Sequence, residues 1–284
     1  MKTFLLGPGC QKGGTTWLYQ YLKASPQFAH GYRKEYHVFD ARDLPSESRT
    51  REKVIRLAEE SIELLRRGET GAADVLHRLS MVANPRFYFD YFTGLLHQRD
   101  DHLVTGDFTP DYALLSVAQM RTIRRGFERR GVRAAAVFLL RDPVERTWSQ
   151  VRMQDAREPG RFSEPSEVVL QRRHADPVYA LRNQYQDTVR VLDEVFGEDV
   201  HYEFYERLFT DRAVGAICRF AGIDQHPGDF GTVLNSAGRS TAAVPEDITR
   251  EVAERYRHVY TAVAARFPDT DLRELWPSAR FVLD

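Results

Sequence analysis

The chain has 284 residues, 42% hydrophobic and 12% aromatic, and its 40 basic and 41 acidic side chains leave a formal net charge of −1. That composition excludes a disordered chain, and the near-zero charge excludes a global basic field for gripping nucleic acid or an anionic membrane. Its two cysteines, Cys10 and Cys218, lie far apart in sequence and are expected to be reduced thiols of an intracellular protein.

Taken in chain order, Thr3 to Leu6 predicts a short buried strand. This run is too short for a signal core, and Gly7-Pro8-Gly9 interrupts it. No later run reaches the ~20 apolar residues of a membrane span, so a cytoplasmic location is expected. The stretch CQKGGTTWL follows at once. Its glycines permit positive φ and close approach of a ligand, while Thr15, Thr16 and the N–H groups of a starting helix attract phosphate. That helix is expected from Thr15 to Ala24, stopped by Ser25-Pro26.

A charged, aromatic loop, GYRKEYHVFDARDLPSESR, has no clear period. Glu52 to Arg67 reads as an amphipathic helix with Val54, Leu57, Ser61, Leu64 and Leu65 along one side, and RFYFDYFTGLL as another helix. A strand at His102 to Thr105 runs into GDFTPDY, and Ser116 to Arg130 predicts a helix with a basic, solvated outer face. Ala134 to Leu140 is the clearest buried strand; after it Asp142, Pro143 and Glu145 carry the signals of a capping box. Helices are expected over Tyr179–Phe196, Asp211–Ala221 and about Glu246–Arg266, with a strand at His201–Phe204.

Strands alternating with helices predict an α/β fold, a P-loop-like, largely parallel sheet flanked by helices. We expect one domain over residues 1–284, with a helical insertion at about 41–100. Ligands of such sheets sit at the carboxyl ends of the strands. Three junctions, Lys12 to Thr16, Gly106 to Tyr112 and Arg141 to Ser149, carry polar residues that would open on that edge.

An NTPase loop would read G-x-x-x-x-G-K-[ST], but here Lys12 precedes the glycine pair and two glycines separate it from Thr15. The hydroxyl that normally holds Mg²⁺ is thus out of register, and no cluster with convincing metal-ligand spacing appears. A P-loop kinase acting on a nucleotide or small molecule and a non-catalytic nucleotide-binding module stand as alternatives. The module needs neither a leaving-group acid nor a base.

QKGGTTWLYQYLKASPQF is similar to the 5′-phosphosulfate loop of sulfotransferases that use 3′-phosphoadenosine 5′-phosphosulfate (PAPS). VFLLRDPVERTWSQ resembles the 3′-phosphate segment of that family, with its Arg-x₇-Ser spacing as Arg141 and Ser149. RKEYHVFD is similar to the Lys-Glu-x-His-Phe-Phe-Asp segment of heparan sulfate 3-O-sulfotransferases, with Val38 in place of one Phe. GDFTPDY resembles the Thr-Pro-x-Tyr stretch beside the substrate of Golgi-type enzymes, and LNSAGRSTAAVP holds the place of a late loop over the cofactor. The resemblance is densest at residues 5–40 and 104–150. It is weakest at 41–100 and 155–178, where acceptor specificity is expected to reside.

The resemblance implies a sulfotransferase fold, with PAPS and its product adenosine 3′,5′-bisphosphate held by Lys12, Gly13, Gly14, Thr15, Thr16, Trp17, Arg141, Ser149, Gly238 and Arg239. It places Lys34, Asp40, Asp107, Thr109, Pro110 and Tyr112 toward a hydroxyl acceptor, a carbohydrate among the candidates, and it implies no metal. Chemically, Lys12 can meet charge growing on the bridging oxygen, and a guanidinium at Arg141 suits a phosphate. Glu35 and His37 alternate, so an extended segment would turn both to one side and Asp40 to the other. Either can take the acceptor's proton, and sequence leaves that choice open.

Overall fold

Four short apolar runs form the strands β1 (Thr3–Leu6), β2 (Val104–Asp107), β3 (Arg133–Leu140) and β4 (Val200–Phe204). The structure, a computed structural model, describes residues 1–231 and 243–284. The strands pair in parallel in the order β2-β1-β3-β4, with Leu6 opposite both Asp107 and Ala136, and Leu140 opposite Phe204. Parallel sheets are covered on both faces, and the two-residue period divides the side chains between them. Phe4, Leu6, Phe138 and Leu140 enter one apolar cluster, whereas Leu5, Ala135, Val137 and Leu139 enter another.

The helices supply the outer layers. Helix α1 (Thr15–Lys23) and the helix Asp211–Ala221 cover the second face with Leu18, Leu22, Val214 and Ile217. Between β1 and β2 lie α2 (Phe39–Asp43), α3 (Ser48–Arg66), α4 (Ala73–Ala83) and α5 (Arg86–His97). The stretch marked as an insertion is therefore helical. Phe92 of α5 meets Phe4 edge-on at 5.0 Å, and Phe127 stacks on Phe4 at 3.8 Å. These rings tie α5 and α6 (Val117–Glu128) to the first face, where Ser116 and Gln119 close a full capping box. After β3 comes α7 (Pro143–Arg157), with Asp142 accepting from the Val144 N–H. Among the described residues, no helix is long and apolar enough to cross a membrane.

Several expected boundaries shift for identifiable reasons. Strand β2 begins at Val104 and extends through Asp107, because its ladder with β1 runs to the Leu6 pair. In α3 the buried stripe is Val54, Ala58 and Ser61, while Leu65 is 52% exposed, so the apolar side read from sequence is rotated. The expected helix over Tyr179–Phe196 is broken: Pro177–Ala180 and a 3₁₀ turn at Leu181–Asn183 precede Tyr185–Phe196. The break serves the fully buried Arg146, whose guanidinium donates to Asn183 Oδ1 and the Tyr179 carbonyl. The last helix likewise divides into Glu246–Arg255 and Arg257–Arg266 at Tyr256, whose buried hydroxyl donates to the His174 carbonyl at 2.5 Å. Tertiary hydrogen bonds of this kind leave no periodic signal.

Candidate active site at the carboxyl edge of the sheet

Because every strand runs the same way, the segments after β1, β2 and β3 leave the sheet at one edge. Beyond β1 the chain stays bonded to β3: Leu139 N–H donates to the Gly9 carbonyl at 2.9 Å, and Cys10 N–H to the Leu139 carbonyl at 2.7 Å. Lys12 then takes a φ of 67° and Gly14 a φ of 91°, turning the chain into α1. A Cβ at Gly13 would lie 2.6 Å from Cys10 Sγ and 3.2 Å from the Leu139 carbonyl oxygen. At Gly14 it would meet Leu208 Cδ2 at 2.9 Å. Both glycines are required by space, and Gly14 by conformation as well.

Gly14 is the N-cap of α1, and no side chain caps it. A nine-residue helix thus starts with N–H groups available to an external acceptor. Positive charge gathers beside it. Burial disfavours the charged Lys12 amine, and the cations Arg141, Arg157, Arg152 and Lys34 reinforce this, lowering it from 10.5 to about 8. Arg141, at the end of β3, donates from Nη1 to the Lys12 carbonyl at 2.8 Å. Its guanidinium carbon lies 4.2 Å from the Tyr205 ring centroid, and its Nη2 is 3.8 Å from Glu145 Oε2. The Arg141 Nε is buried with no hydrogen-bond partner. A buried donor left unmet costs free energy, so this fork fits an anionic ligand. Ser149 is partly exposed in α7.

Glu35 and His37 come to the same region on the loop before α2. His37 has a φ of 53°. That turn brings Asp40 back to His37, where an extended chain would have pointed it away. His37 Nδ1 lies 2.6 Å from Asp40 Oδ2, and Nε2 lies 3.3 Å from Glu35 Oε2. Lys34 Nζ is 2.6 Å from Glu35 Oε1 and donates to Thr15 Oγ1 at 3.1 Å. The loop is thereby tied to the first residue of α1.

These contacts set the protonation states. Burial opposes an imidazolium at His37, but hydrogen bonds to Asp40 and Glu35 outweigh it and push the ring up to about 10. Burial would raise Glu35, yet hydrogen bonds from His37 and Lys34 hold it down at about 2. At neutral pH the pair is a carboxylate and an imidazolium. The carboxylate is the group able to accept a proton. His37, Asp40 and Asp111 also bring ligand-type atoms within 4.8 Å of one another. Asp111 is already paired with Arg182 at 2.5 Å, and both imidazole nitrogens face carboxylates.

The residues after β2 form a buried, hydrogen-bonded support. Asp107 and Thr109 are fully buried, as is Tyr112, and Pro110 is buried with them. Asp107 Oδ1 accepts from Thr109 Oγ1 at 2.6 Å and from the Tyr36 N–H at 3.2 Å; Oδ2 accepts from the Tyr88 and Tyr112 hydroxyls at 3.0 Å each. Tyr112 OH also accepts from the Val38 N–H at 3.0 Å, and Thr109 Oγ1 from the Tyr36 N–H at 3.0 Å. Asp107, Thr109 and Tyr112 thereby hold the backbone of the 34–38 loop. Asp40, also fully buried, orients His37 in the same way. The Trp17 ring is buried against Tyr21, Phe209 and Phe230, while its backbone lies in the first turn of α1. Gly238 and Arg239 lie outside the described residues.

The expected capping box at α7 is half formed. Asp142 caps, but its own N–H donates to Glu206 Oε1 at 3.1 Å, leaving Glu145 beside Arg141. Two neighbours of Arg141 escaped sequence reasoning, Tyr205 beneath its guanidinium and Tyr185, whose hydroxyl donates to its carbonyl at 2.9 Å. Neither carries a site role that sequence alone assigns, and only the fold brings them there.

The comparisons agree with this architecture. The sulfotransferase from Alicyclobacillus acidocaldarius superposes with a TM-score of 0.61 at 18% identity, covering 94% of this chain and 95% of that one. At that identity the likeness is one of fold. The sulfotransferase domain from the curacin biosynthetic pathway (TM-score 0.44, 16% identity, 90% and 97% covered) is also similar. So is the sulfotransferase domain of the Synechococcus PCC 7002 olefin synthase (TM-score 0.45, 18% identity, 89% and 94% covered). No curated protein matches the sequence. Residues 5–227 match the profile described as the sulfotransferase family, and the chain belongs to that family.

Proposed function

We propose that the protein transfers a sulfuryl group from PAPS to a hydroxyl acceptor. One observation carries the reading: an uncapped helix start, the depressed amine of Lys12 and the unmet Nε of Arg141 lie on the same sheet edge as a paired carboxylate and imidazolium. PAPS, when bound, supplies the sulfuryl group and leaves as adenosine 3′,5′-bisphosphate. Gly13, Gly14 and the first N–H groups of α1 would hold its 5′-phosphate, and Arg141 with Ser149 its 3′-phosphate. Lys12 balances the negative charge that grows on the bridging oxygen and can give it a proton. Glu35 takes the proton of the acceptor hydroxyl as the new S–O bond forms. His37, held by Asp40, keeps that carboxylate aimed. The resemblance of RKEYHVFD to glycan enzymes supports a carbohydrate acceptor, and we place the protein in the cytoplasm.

Calorimetric titration tests the donor. Adenosine 3′,5′-bisphosphate should bind more tightly than ADP, and Mg²⁺ should not change the order. Tighter ADP binding that depends on Mg²⁺ would support the kinase alternative instead.

A further inference from the structure

Glu35 meets a cation at each oxygen. Oε2 faces His37 Nε2 at 3.3 Å, and Oε1 faces Lys34 Nζ at 2.6 Å. A carboxylate held this way is a poor base, so one partner must withdraw before Glu35 can receive a proton. His37 is anchored on its far side by Asp40 at 2.6 Å, with Asp111 3.8 Å away and itself paired with Arg182. Lys34 is held differently. Its ammonium is 15% exposed at the side chain and also touches Thr15 Oγ1 at 3.1 Å, at the first residue of α1. That helix start is where an anion would sit. The cations Lys12, Arg141, Arg152 and Arg157 gather there, with Glu145 the acid beside Arg141.

Resting on the functional reading above, we propose that Lys34 is a donor-binding residue that gates Glu35. Without donor, its ammonium is shared between Glu35 and Thr15. A donor anion at the start of α1 draws the ammonium off the carboxylate, and Glu35 is left to His37 and the acceptor hydroxyl. The base is thus released only when there is a sulfuryl group to transfer. This role differs from acceptor contact, which the sequence resemblance implied for Lys34.

The gate makes a prediction of sign that a merely structural role does not. Glu35 competes with the donor for Lys34, so removing its charge should strengthen donor binding. Adenosine 3′,5′-bisphosphate is titrated calorimetrically into the wild type, Lys34→Met, Lys34→Gln, Glu35→Gln and the Lys34→Met/Glu35→Gln double variant, each first shown to melt cooperatively. Both Lys34 variants should bind at least about tenfold more weakly, the loss expected for a charge-assisted hydrogen bond. Glu35→Gln should bind about threefold more tightly, as expected for release of a partly exposed ion pair. In the double variant that gain should vanish. Normal wild-type binding with Lys34 variants unchanged, or with Glu35→Gln no tighter, overturns the gate alone. A wild type that does not bind the nucleotide overturns the donor assignment, and the gate falls with it.

Discussion

Lys12 has the most exposed consequence of its surroundings. Burial and neighbouring cations bring its amine down to about 8, so its charged form is lost as pH rises through that value. The kcat/KM for PAPS should fall on the alkaline side with a midpoint near 8. In Lys12→Arg that limb should move beyond the measurable range, because a guanidinium stays charged; a limb that stays put would assign the titration to another group. Glu35→Gln should lower kcat by ~10²–10⁴, the range for a positioned general base. His37 titrates the other way from Lys12. Its folded value near 10 lies above the ordinary 6.5 of a free imidazole, so its stabilisation is complete below about 6.5 and is lost as pH rises toward 10. The difference in Tm between wild type and His37→Gln should therefore be largest near pH 6 and shrink above it. An unchanging difference from pH 6 to 10 would mean that the ring keeps its ordinary pKa in the fold. That Lys12, Glu35 and His37 come to one edge was legible, because each sits in a distinctive polar motif beside the start of α1. The place of Asp40 was not, since it depends on the positive φ of one histidine.

Among the elements, the start of α1 and the strand β2 govern the site. Gly14 combines a φ of 91° with a Leu208 contact that no Cβ fits. Gly14→Ala should abolish nucleotide binding in calorimetry while Gly68→Ala, at φ 75° in open surroundings, leaves it intact. At the end of β2, Asp107 accepts from four donors, of which the Tyr36 N–H belongs to the 34–38 loop. Burial pushes its carboxyl up to about 6 against the pull of those bonds, so its ionised form costs stability as pH rises from 3.8 through 6. An amide cannot accept all four donors. Asp107→Asn should lower Tm at pH 7 by an amount corresponding to about 1–3 kcal/mol per unmet donor. It should also admit trypsin at Arg33 and Lys34, read by mass spectrometry. Resistance equal to wild type would show that the loop holds without this anchor. Strands β1 and β3 could be read from sequence as unbroken apolar runs. The helix breaks at Asn183 and Tyr256 could not, because Arg146 and His174, which demand them, lie 37 and 82 residues away.

Across the whole molecule, the C-terminal segment locks the junctions that carry the 3′-phosphate candidate, although Tyr260 and Ser278 lie 118 and 136 residues beyond Asp142. Asp142, next to Arg141, accepts from the Ser278 N–H at 3.1 Å and from the Tyr260 hydroxyl at 3.0 Å. Trp276, fully buried, donates to Glu206 Oε2 at 3.1 Å, while Glu206 Oε1 accepts from the Asp142 N–H. The same indole packs on Tyr185, which bonds the Arg141 carbonyl, and on Phe204, which ends β4 just before Tyr205. One side chain thus braces both the main chain of Arg141 and the segment bearing the ring beneath its guanidinium. Trp276→Ala should cost about 3–5 kcal/mol, as for a large buried aromatic, and lower Tm accordingly. Its functional effect should be selective. At a temperature where the variant is still folded, its preference for adenosine 3′,5′-bisphosphate over adenosine 5′-monophosphate should fall, because Arg141 loses its fixed seat. Affinity for the monophosphate should hold, since the Lys12 loop is fixed by β1 and β3 instead. An unchanged preference in the folded variant would detach the C-terminal brace from ligand selection and leave it a purely structural clamp.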